Sequence, residues 1–486
     1  MIEAKARSLS EIHVGVHVRL ASSSRCIFDY GGSKLFLPAS NLKLITSACG
    51  LTVLGPRFRF STDFLTTGKF RGGITDGDLV IRGCGDPTIV DRASLIFWAG
   101  YKGPDKAYNL PHGIELTLES IVGRLRRLGL RGVDGDIVID DSYFERKRLG
   151  DGWAVDDEKW FYGAPTGAVS LNENIVTVTV RPNRKVGSQL VVDSIPECRL
   201  LNLTNRTMTG KPGTRNTLKF NKVSGKDEIT VSGSLPVKHK RVVQFMAVHD
   251  PGLYLGEMLL TNLHRCGIRV AGSVVRKRIR GTLNLLLRTH SKPLENIVYW
   301  LNKTSDNFYA EQLVKTLGAV EAEDGSWDGG LNVVKKFLKE KDVAASYRIA
   351  DGSGLSRYNL VTPRMLAKLL CAMRNSVSFV NSLPVAGRDK GYGTLEHRMR
   401  RTKACGNLKA KTGSLEGVST MSGYVETLDR KTVAFSIMTN STVGDLTREK
   451  RFQDELGTVM ASSTLRDLPG ALDHKIRMLI PPQDGG

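Results

Sequence analysis

Alternation of apolar and polar residues near both ends of the chain, and through much of its middle, predicts β-strands. Residues 12–37 contain two such runs around the polar turn ASSSR, which predicts a β-hairpin. The same pattern predicts strands within 69–93 and 174–245. Near the C-terminus it predicts three more strands, at 407–411, 418–426 and 432–440.

Helical spacing, with apolar residues three and four positions apart, occupies other segments. The first begins after Pro38 and ends near Gly55. Further helices are predicted at 114–128, 252–266, 293–302, 307–317, 332–338, 362–373 and from 448 onward. Strands and a helix at the start, a β-rich middle, and helices followed by strands at the end favour an α+β fold with a large insertion.

Composition supports a folded chain of two or three domains. The chain has 486 residues, of which 41% are hydrophobic and 24% charged, so a wholly disordered or collagen-like protein is excluded. No apolar run is long enough to cross a membrane, and we expect no transmembrane segment.

A large excess of positive charge raises the question of an acidic partner. The 70 Lys and Arg residues exceed the 49 Asp and Glu residues, giving a net charge of +21. The basic clusters are scattered and lack interleaved aromatic residues, so we interpret them as solvated faces and expect no nucleic acid. The chain also lacks CxxC and HExxH spacings, and we expect no metal and no cofactor.

Three short motifs carry the candidate chemistry. Ser40 and Lys43 form SxxK at the start of a predicted helix. Ser305 and Asn307 form SxN where a loop is predicted to meet a helix, and Lys411 opens a KTG motif at the end of a predicted strand. In this order, and on these elements, the three motifs together are specific.

Nucleophilic acyl transfer needs this set of groups. A serine hydroxyl is a poor nucleophile until a base removes its proton. A lysine one helical turn away, such as Lys43 relative to Ser40, can be that base if burial and a second cation lower its pKa. Lys411 can be this second cation while it holds a substrate carboxylate. We expect Ser305 to pass a proton between Lys43 and the leaving amine, and Asn307 to bind a substrate amide.

Other interpretations of the same residues are weaker. Ser40 and Ser305 could be helix N-caps, and KTG a β-turn. A second SxN at Ser170 leads into a strand and is interpreted as structural. His397 could pair with a serine, but we expect it on a solvated helical face. No GxSxG or P-loop sequence is present.

The motif set and its spacing resemble the penicillin-binding protein 4-like D-alanyl-D-alanine carboxypeptidase/endopeptidase family. Further similar stretches are FLPASNLKL (36–44), GDLVIRGCGDPTI (77–89), DGSGLSRYNLVTP (351–363), SLPVAGRD (382–389) and AKTGSLEGVSTMSGYV (410–425). The similarity spans roughly residues 12–465. One departure is the apparent insertion of Lys390, Gly391 and Tyr392 at the rim of the site.

The resemblance implies a role for each motif residue. Ser40 resembles the nucleophile and Lys43 resembles its general base. Ser305 and Asn307 resemble the proton-relay and substrate-amide positions. The substrate-binding set is Lys411, Thr412, Gly413 and Ser414, and the backbone N–H groups of Ser40 and Ser414 resemble the oxyanion hole. The residue that reads the peptide stem resembles Asp156 or Asp157, and the motif does not distinguish them.

The resemblance also implies a domain plan. It comprises a β-lactamase/transpeptidase-like catalytic domain, with an antiparallel sheet and helices, built from 1–68 and 284–486. This is interrupted by a β-rich inserted domain (69–93 with 172–283) that itself contains an inner α/β domain (94–171).

The implied function is serine-type hydrolysis of D-Ala–D-Ala bonds, or of nearby cross-links, in peptidoglycan peptides, with binding of β-lactam antibiotics. Two alternatives remain: a β-lactamase or esterase with the same motifs, and a non-enzymatic protein that binds the cell wall or another polyanion. The function implies an extracytoplasmic place, in the periplasm or cell-wall space. The first 16 residues carry four charges and no apolar core, however, so no secretion signal is predicted.

Overall fold

The computed structural model describes residues 12–100, 116–343 and 346–480. The N-terminal segment used for the signal prediction, up to residue 11, and the start of the helix predicted at 114 lie outside the described residues. The strands are β1 (His13–Leu20), β2 (Cys26–Tyr30), β3 (Ser61–Thr66), β4 (Phe70–Arg71), β5 (Ile74–Thr75), β6 (Leu79–Gly83), β7 (Gly132–Val133), β8 (Ile137–Asp140), β9 (Ile175–Arg181), β10 (Val191–Ile195), β11 (Asn202–Gly210), β12 (Lys219–Lys222), β13 (Glu228–Pro236), β14 (Val242–Ala247), β15 (Arg269–Val270), β16 (Val274–Arg276), β17 (Asn284–His290), β18 (Lys409–Leu415), β19 (Val418–Glu426) and β20 (Thr432–Asn440).

Helices account for most of the remaining regular structure. They are α1 (Lys43–Val53), α2 (Arg92–Gly100), α3 (Leu118–Arg127), α4 (Pro251–Arg265), α5 (Leu294–Trp300), α6 (Asn307–Glu321), α7 (Trp327–Glu340), α8 (Pro363–Met373), α9 (Val377–Ser382), α10 (Thr447–Ser462) and α11 (Leu468–Leu479). None of these helices is both long and apolar enough to span a membrane.

The described residues group into two compact units. The first draws on Met1–Phe58, Pro293–Leu317 and Trp327–Gly486, and the second on Arg59–Lys292 and Gly318–Ser326. Strands β3 and β17 pair with each other and belong to the second unit, so the chain passes from one unit to the other after Phe58 and returns at Pro293. The division into a catalytic domain and two nested insertions stays a prediction.

The first unit is built on an antiparallel sheet of five strands in the order β18-β19-β20-β1-β2. Alternate residues of β1 point to opposite faces of this sheet. Val14, Val16 and Val18 share a core with Phe452 of α10, whereas α8 packs on β1 and β20. Helices therefore cover both faces, which explains why β1 is buried almost throughout rather than on alternate residues. The predicted α+β class, with a helix-covered antiparallel sheet, is confirmed.

The second unit is rich in β-structure. Its largest sheet has the order β16-β8-β6-β3-β17 and mixes parallel and antiparallel pairs. Helices α3 and α4 contribute to its apolar core. The second SxN sequence lies in this core, where Asn172 Nδ2 donates to Asp91 Oδ2 at 2.6 Å and to the Tyr254 hydroxyl at 2.8 Å. This asparagine supports packing, as its position before a strand predicts.

Candidate active site

The SxxK motif lies where a short 3₁₀ turn leads into α1. Ser40 belongs to the turn Ala39–Leu42, and Lys43 is the first residue of α1. The ammonium of Lys43 donates to Ser40 Oγ at 2.8 Å. The helix is preceded by Leu42 and has no side-chain cap, so the N-cap alternative for Ser40 is wrong. Ala39 has a φ of 46°, a left-handed conformation that is unusual for a residue other than glycine and is often found at functional sites.

Lys43 is buried and surrounded by oxygen acceptors. Its side chain has 0% exposure. Besides Ser40, Nζ donates to Asn307 Oδ1 at 2.6 Å and to the Ser353 carbonyl at 2.9 Å. A buried ammonium requires such partners because desolvation is costly. The described contacts therefore engage all three N–H groups of the charged form.

The SxN motif joins two helical segments. A π-helical turn, Leu301–Ser305, follows α5 directly, and α6 begins at Asn307. The prediction of a loop before this motif is therefore wrong. Asp306 Oδ1 accepts from Tyr309 N at 2.8 Å, so Asp306, and not Ser305, caps α6. Ser305 has a φ of 67°, the second left-handed residue of the site.

The KTG motif lies inside the edge strand β18 rather than at the end of a strand or in a turn. Lys411 has 0% exposure, and its ammonium donates to Ser305 Oγ at 2.8 Å and to the Thr412 carbonyl at 2.7 Å. A Cβ on Gly413 would lie 2.8 Å from Ser40 N. Glycine therefore allows β18 to approach the backbone of the serine turn. Ser414 follows as an exposed residue of the same strand.

Burial lowers the pKa of both lysines. The pKa of Lys43 falls from 10.5 to about 8, because burial outweighs the opposing charges of Asp306, Glu311 and Asp351. The pKa of Lys411 falls well below its usual value, through burial first and the charge of Lys43 second. A neutral lysine base is thus accessible near neutral pH, and a bound substrate carboxylate would favour the charged form of Lys411.

Sequence reasoning missed several residues that surround these lysines. The carbonyl of Ser353 contacts Lys43, and the carboxylate of Glu311 accepts from Ser353 N at 2.7 Å. Thr394 Oγ1 accepts from Thr412 Oγ1 at 2.8 Å. The DGSGLSR stretch that contains Ser353 resembled the family, which was a signal of its position but not of its role.

The segment with the apparent insertion packs against an aromatic cluster. Asp389 Oδ2 accepts from Lys303 Nζ and from Val385 N, each at 2.8 Å. Tyr392, within the insertion, meets Trp300 edge to face with 5.2 Å between ring centroids. This segment is therefore anchored to the same π-helical turn that ends in Ser305.

Three other candidate residues lie outside the three motifs. His397 is in a turn and not on a helix, its side chain is 60% exposed, and it lies 3.6 Å from Glu396 Oε2, so the helical part of that prediction is wrong. Asp156 and Asp157 lie on a 3₁₀ turn of the second unit, Val155–Asp157. Among the described residues, no group of three or more His, Cys, Asp or Glu side chains is placed to hold a metal ion.

Comparison with known proteins identifies one family. The family model of the D-Ala-D-Ala carboxypeptidase 3 (S13) family matches residues 2–461. A D-alanyl-D-alanine carboxypeptidase from an Actinomadura species is 32% identical over 447 residues, which cover 88% of this chain and 78% of the relative. The D-alanyl-D-alanine carboxypeptidase DacB of Haemophilus influenzae is 27% identical, covering 89% of this chain and 87% of the relative.

A solved structure shows the same fold. The crystal structure of penicillin binding protein 4 from Haemophilus influenzae matches with a TM-score of 0.77 at 24% identity, covering 96% of each chain. The family model spans nearly the whole sequence, including all three motifs. The chain belongs to the D-Ala-D-Ala carboxypeptidase 3 (S13) family and is a serine-type D-Ala-D-Ala carboxypeptidase.

Proposed function

We propose that the chain removes the terminal D-alanine from peptidoglycan stem peptides through an acyl-enzyme on Ser40. The observation that carries this proposal is the 2.8 Å hydrogen bond from the fully buried Lys43 ammonium to Ser40 Oγ. A lysine with a pKa of about 8 can accept a proton from a serine hydroxyl at this distance. The same serine resembles the nucleophile of the family.

The surroundings of Lys43 orient its lone pair. A neutral amine has two N–H groups and one lone pair. Asn307 Oδ1 and the Ser353 carbonyl can only accept hydrogen bonds, so they engage both N–H groups. The lone pair then faces Ser40 Oγ, which is the neighbour with a proton to give. The base is thus oriented before substrate arrives, which lowers the cost of reaching the transition state.

The reaction has two halves. Ser40 Oγ attacks the carbonyl carbon of the penultimate D-alanine while its proton moves to Lys43. The tetrahedral oxyanion is stabilised by the backbone N–H groups of Ser40 and Ser414. The C–N bond then breaks, the terminal D-alanine leaves as an amine, and water later hydrolyses the Ser40 ester to regenerate the hydroxyl.

Ser305 and Lys411 serve the leaving group. Ser305 gives a proton to the departing nitrogen and regains one from Lys411 across their 2.8 Å hydrogen bond. This assigns the relay to Lys411, where the sequence had suggested Lys43. In the second half the attacking water gives a proton back to Lys411 through Ser305. Lys43 returns its proton to Ser40 Oγ, so both lysines recover their starting forms. The charged form of Lys411, together with Thr412, also attracts the substrate's terminal carboxylate.

β-Lactams fit the same mechanism, because their strained amide presents a carbonyl beside a carboxylate. The Haemophilus influenzae protein has been solved in complex with a β-lactam. We therefore include penicillin binding in the proposal, along with an extracytoplasmic location, where peptidoglycan is found.

Release of D-alanine from a synthetic peptide ending in D-Ala–D-Ala tests the proposal. We expect release by the wild-type protein and by the control Ser33→Ala, which removes a hydroxyl from an exposed position. We expect no release by folded Ser40→Ala. Equal release by Ser40→Ala would contradict the proposal. Rapid penicillin turnover without a lasting adduct would favour the β-lactamase alternative, and salt-dependent polyanion binding with no D-alanine release would favour the binding alternative.

A further inference from the structure

The carboxylate of Glu311 is buried behind Lys43 and accepts three hydrogen bonds. Its side chain has 0% exposure. Oε1 accepts from Ser353 N at 2.7 Å, and Oε2 accepts from Gly352 N at 2.9 Å and from Trp327 Nε1 at 2.8 Å. Glu311 lies four residues after Asn307 on α6, so both side chains project from one face of that helix.

These bonds hold a short loop, residues 351–356, against α1. The Ser353 carbonyl accepts from Lys43 Nζ at 2.9 Å, and the Gly352 carbonyl accepts from Thr46 Oγ1 at 2.6 Å. Two backbone N–H groups of the loop therefore bond to α6 through Glu311, and two of its carbonyls bond to α1. Moving the carboxylate would move the carbonyl that faces the base.

The loop also has little room to adjust. Asp351 accepts from Gly354 N at 2.9 Å and from Ser356 N at 2.6 Å, which fixes its internal shape. A Cβ on Gly352 would lie 2.7 Å from the Ala310 carbonyl oxygen of α6. The loop is thus packed directly on the helix that supplies Glu311.

We propose that Glu311 is a positioning residue that holds the Ser353 carbonyl in place as an acceptor for Lys43, and so keeps the lone pair of Lys43 directed at Ser40. This inference rests on the proposed function, in which Lys43 is the base. Asn307 contacts Lys43 directly, whereas Glu311 acts through the loop. Helix α6 therefore orients the base by two routes.

Charge gives Glu311 a second, separable effect. The charged groups that act on Lys43 are Asp306 just before α6, Glu311 on α6 and Asp351 on the loop. Lys43 in turn lowers the pKa of Lys411 on β18. Burial, and then the charge of Asp351, raises the pKa of Glu311 to about 7, so Glu311 is mostly charged where Lys43 titrates. Its negative charge raises the pKa of Lys43, so a neutral replacement lowers the pKa of Lys43. A positioning role and a charge role are therefore distinguished by two variants, one that keeps the charge and one that removes it.

The test of the proposal is the rate of acylation by a fluorescent penicillin between pH 5 and 10. Each rate is normalised to the fraction of protein that is finally labelled. Glu311→Asp keeps the charge but withdraws the acceptors by one methylene. We expect its plateau acylation rate to fall by on the order of 10- to 100-fold. The pH at which the rate rises should stay near the wild-type value. Glu311→Gln replaces one acceptor by a donor, so we expect a similar fall in the plateau acylation rate. Because the charge is lost, the rate should rise at a lower pH than in the wild-type protein.

The control is Glu321→Gln, the same chemical change at an exposed position on α6. We expect it to change neither the plateau acylation rate nor the pH at which the rate rises. Wild-type plateau rates in folded Glu311→Asp would overturn the positioning role. If Glu311→Gln does not fold, Glu311→Asp alone decides. Failure of the proposed function would give a different result. The wild-type protein would then be acylated at a normal rate, but at a residue other than Ser40.

Discussion

Replacing Lys43 with arginine removes the proposed base and retains a positive charge. Burial lowers the pKa of Lys43 from 10.5 to about 8. At pH 7 the neutral fraction is then about 9%, against about 0.03% for an unperturbed lysine, a gain of roughly 300-fold. Arginine stays protonated throughout this range, so Lys43→Arg should lose about 10²- to 10⁴-fold in acylation rate.

The wild-type pH profile supplies the matching signature. Because only the neutral amine accepts a proton, the acylation rate should rise about tenfold between pH 6 and 7 and level off near the Lys43 pKa of about 8. It should fall again at higher pH, once Lys411 loses the charge that holds the substrate carboxylate. The assay is stopped-flow labelling with a fluorescent penicillin, with circular dichroism to confirm folding. Lys34→Arg, the same exchange at an exposed position, is the control. Near-normal acylation by folded Lys43→Arg would refute the assignment of the base.

Three further predictions concern the surroundings of the site and the second unit. Lys411→Ala should raise KM for substrates with a terminal carboxylate about tenfold more than for neutral esters; equal effects in steady-state assays would contradict its role. Gly413→Ala should abolish acylation and cost about 1–3 kcal/mol in urea unfolding, because the new Cβ would lie close to Thr420 Oγ1; a fully active variant would contradict the close approach. Burial raises the pKa of Asp86 to about 6, above its unfolded value, so its protonated form favours folding and its contribution is lost as pH rises through about 6. Asp86→Asn should therefore raise the free energy of unfolding by on the order of 2 kcal/mol at pH 8 and little at pH 4; equal effects at both pH values would count against this.

Local patterns predicted much of the fold. Strands β19 and β20 have the predicted bounds, and α8 begins at Pro363 and ends at Met373 as expected. These elements carry strong periodicity, and Pro363 marks a helix start. The π-helical turn before Asp306 was not predictable, since Asn302, Thr304 and Ser305 are weak helix formers and favoured a loop there.

The candidate site was predictable to the level of its motifs. Their order placed Ser40, Lys43 and Lys411 in one cluster. The sequence could not predict that Ser353, 310 residues from Lys43 along the chain, supplies a backbone carbonyl to the base. Backbone acceptors carry no residue-type signal, so such contacts become visible only in the folded structure. The partner of Ser305 depends on the same long-range packing.

The measurement that tests the central claim most directly is the location of the covalent adduct formed with benzylpenicillin. The folded wild-type protein is incubated with the antibiotic, digested and analysed by tandem mass spectrometry, with Ser40→Ala treated in parallel. The account predicts one penicilloyl group, on Ser40, and none in the variant. An adduct on another residue such as Ser305, or no adduct on folded wild-type protein, would contradict it.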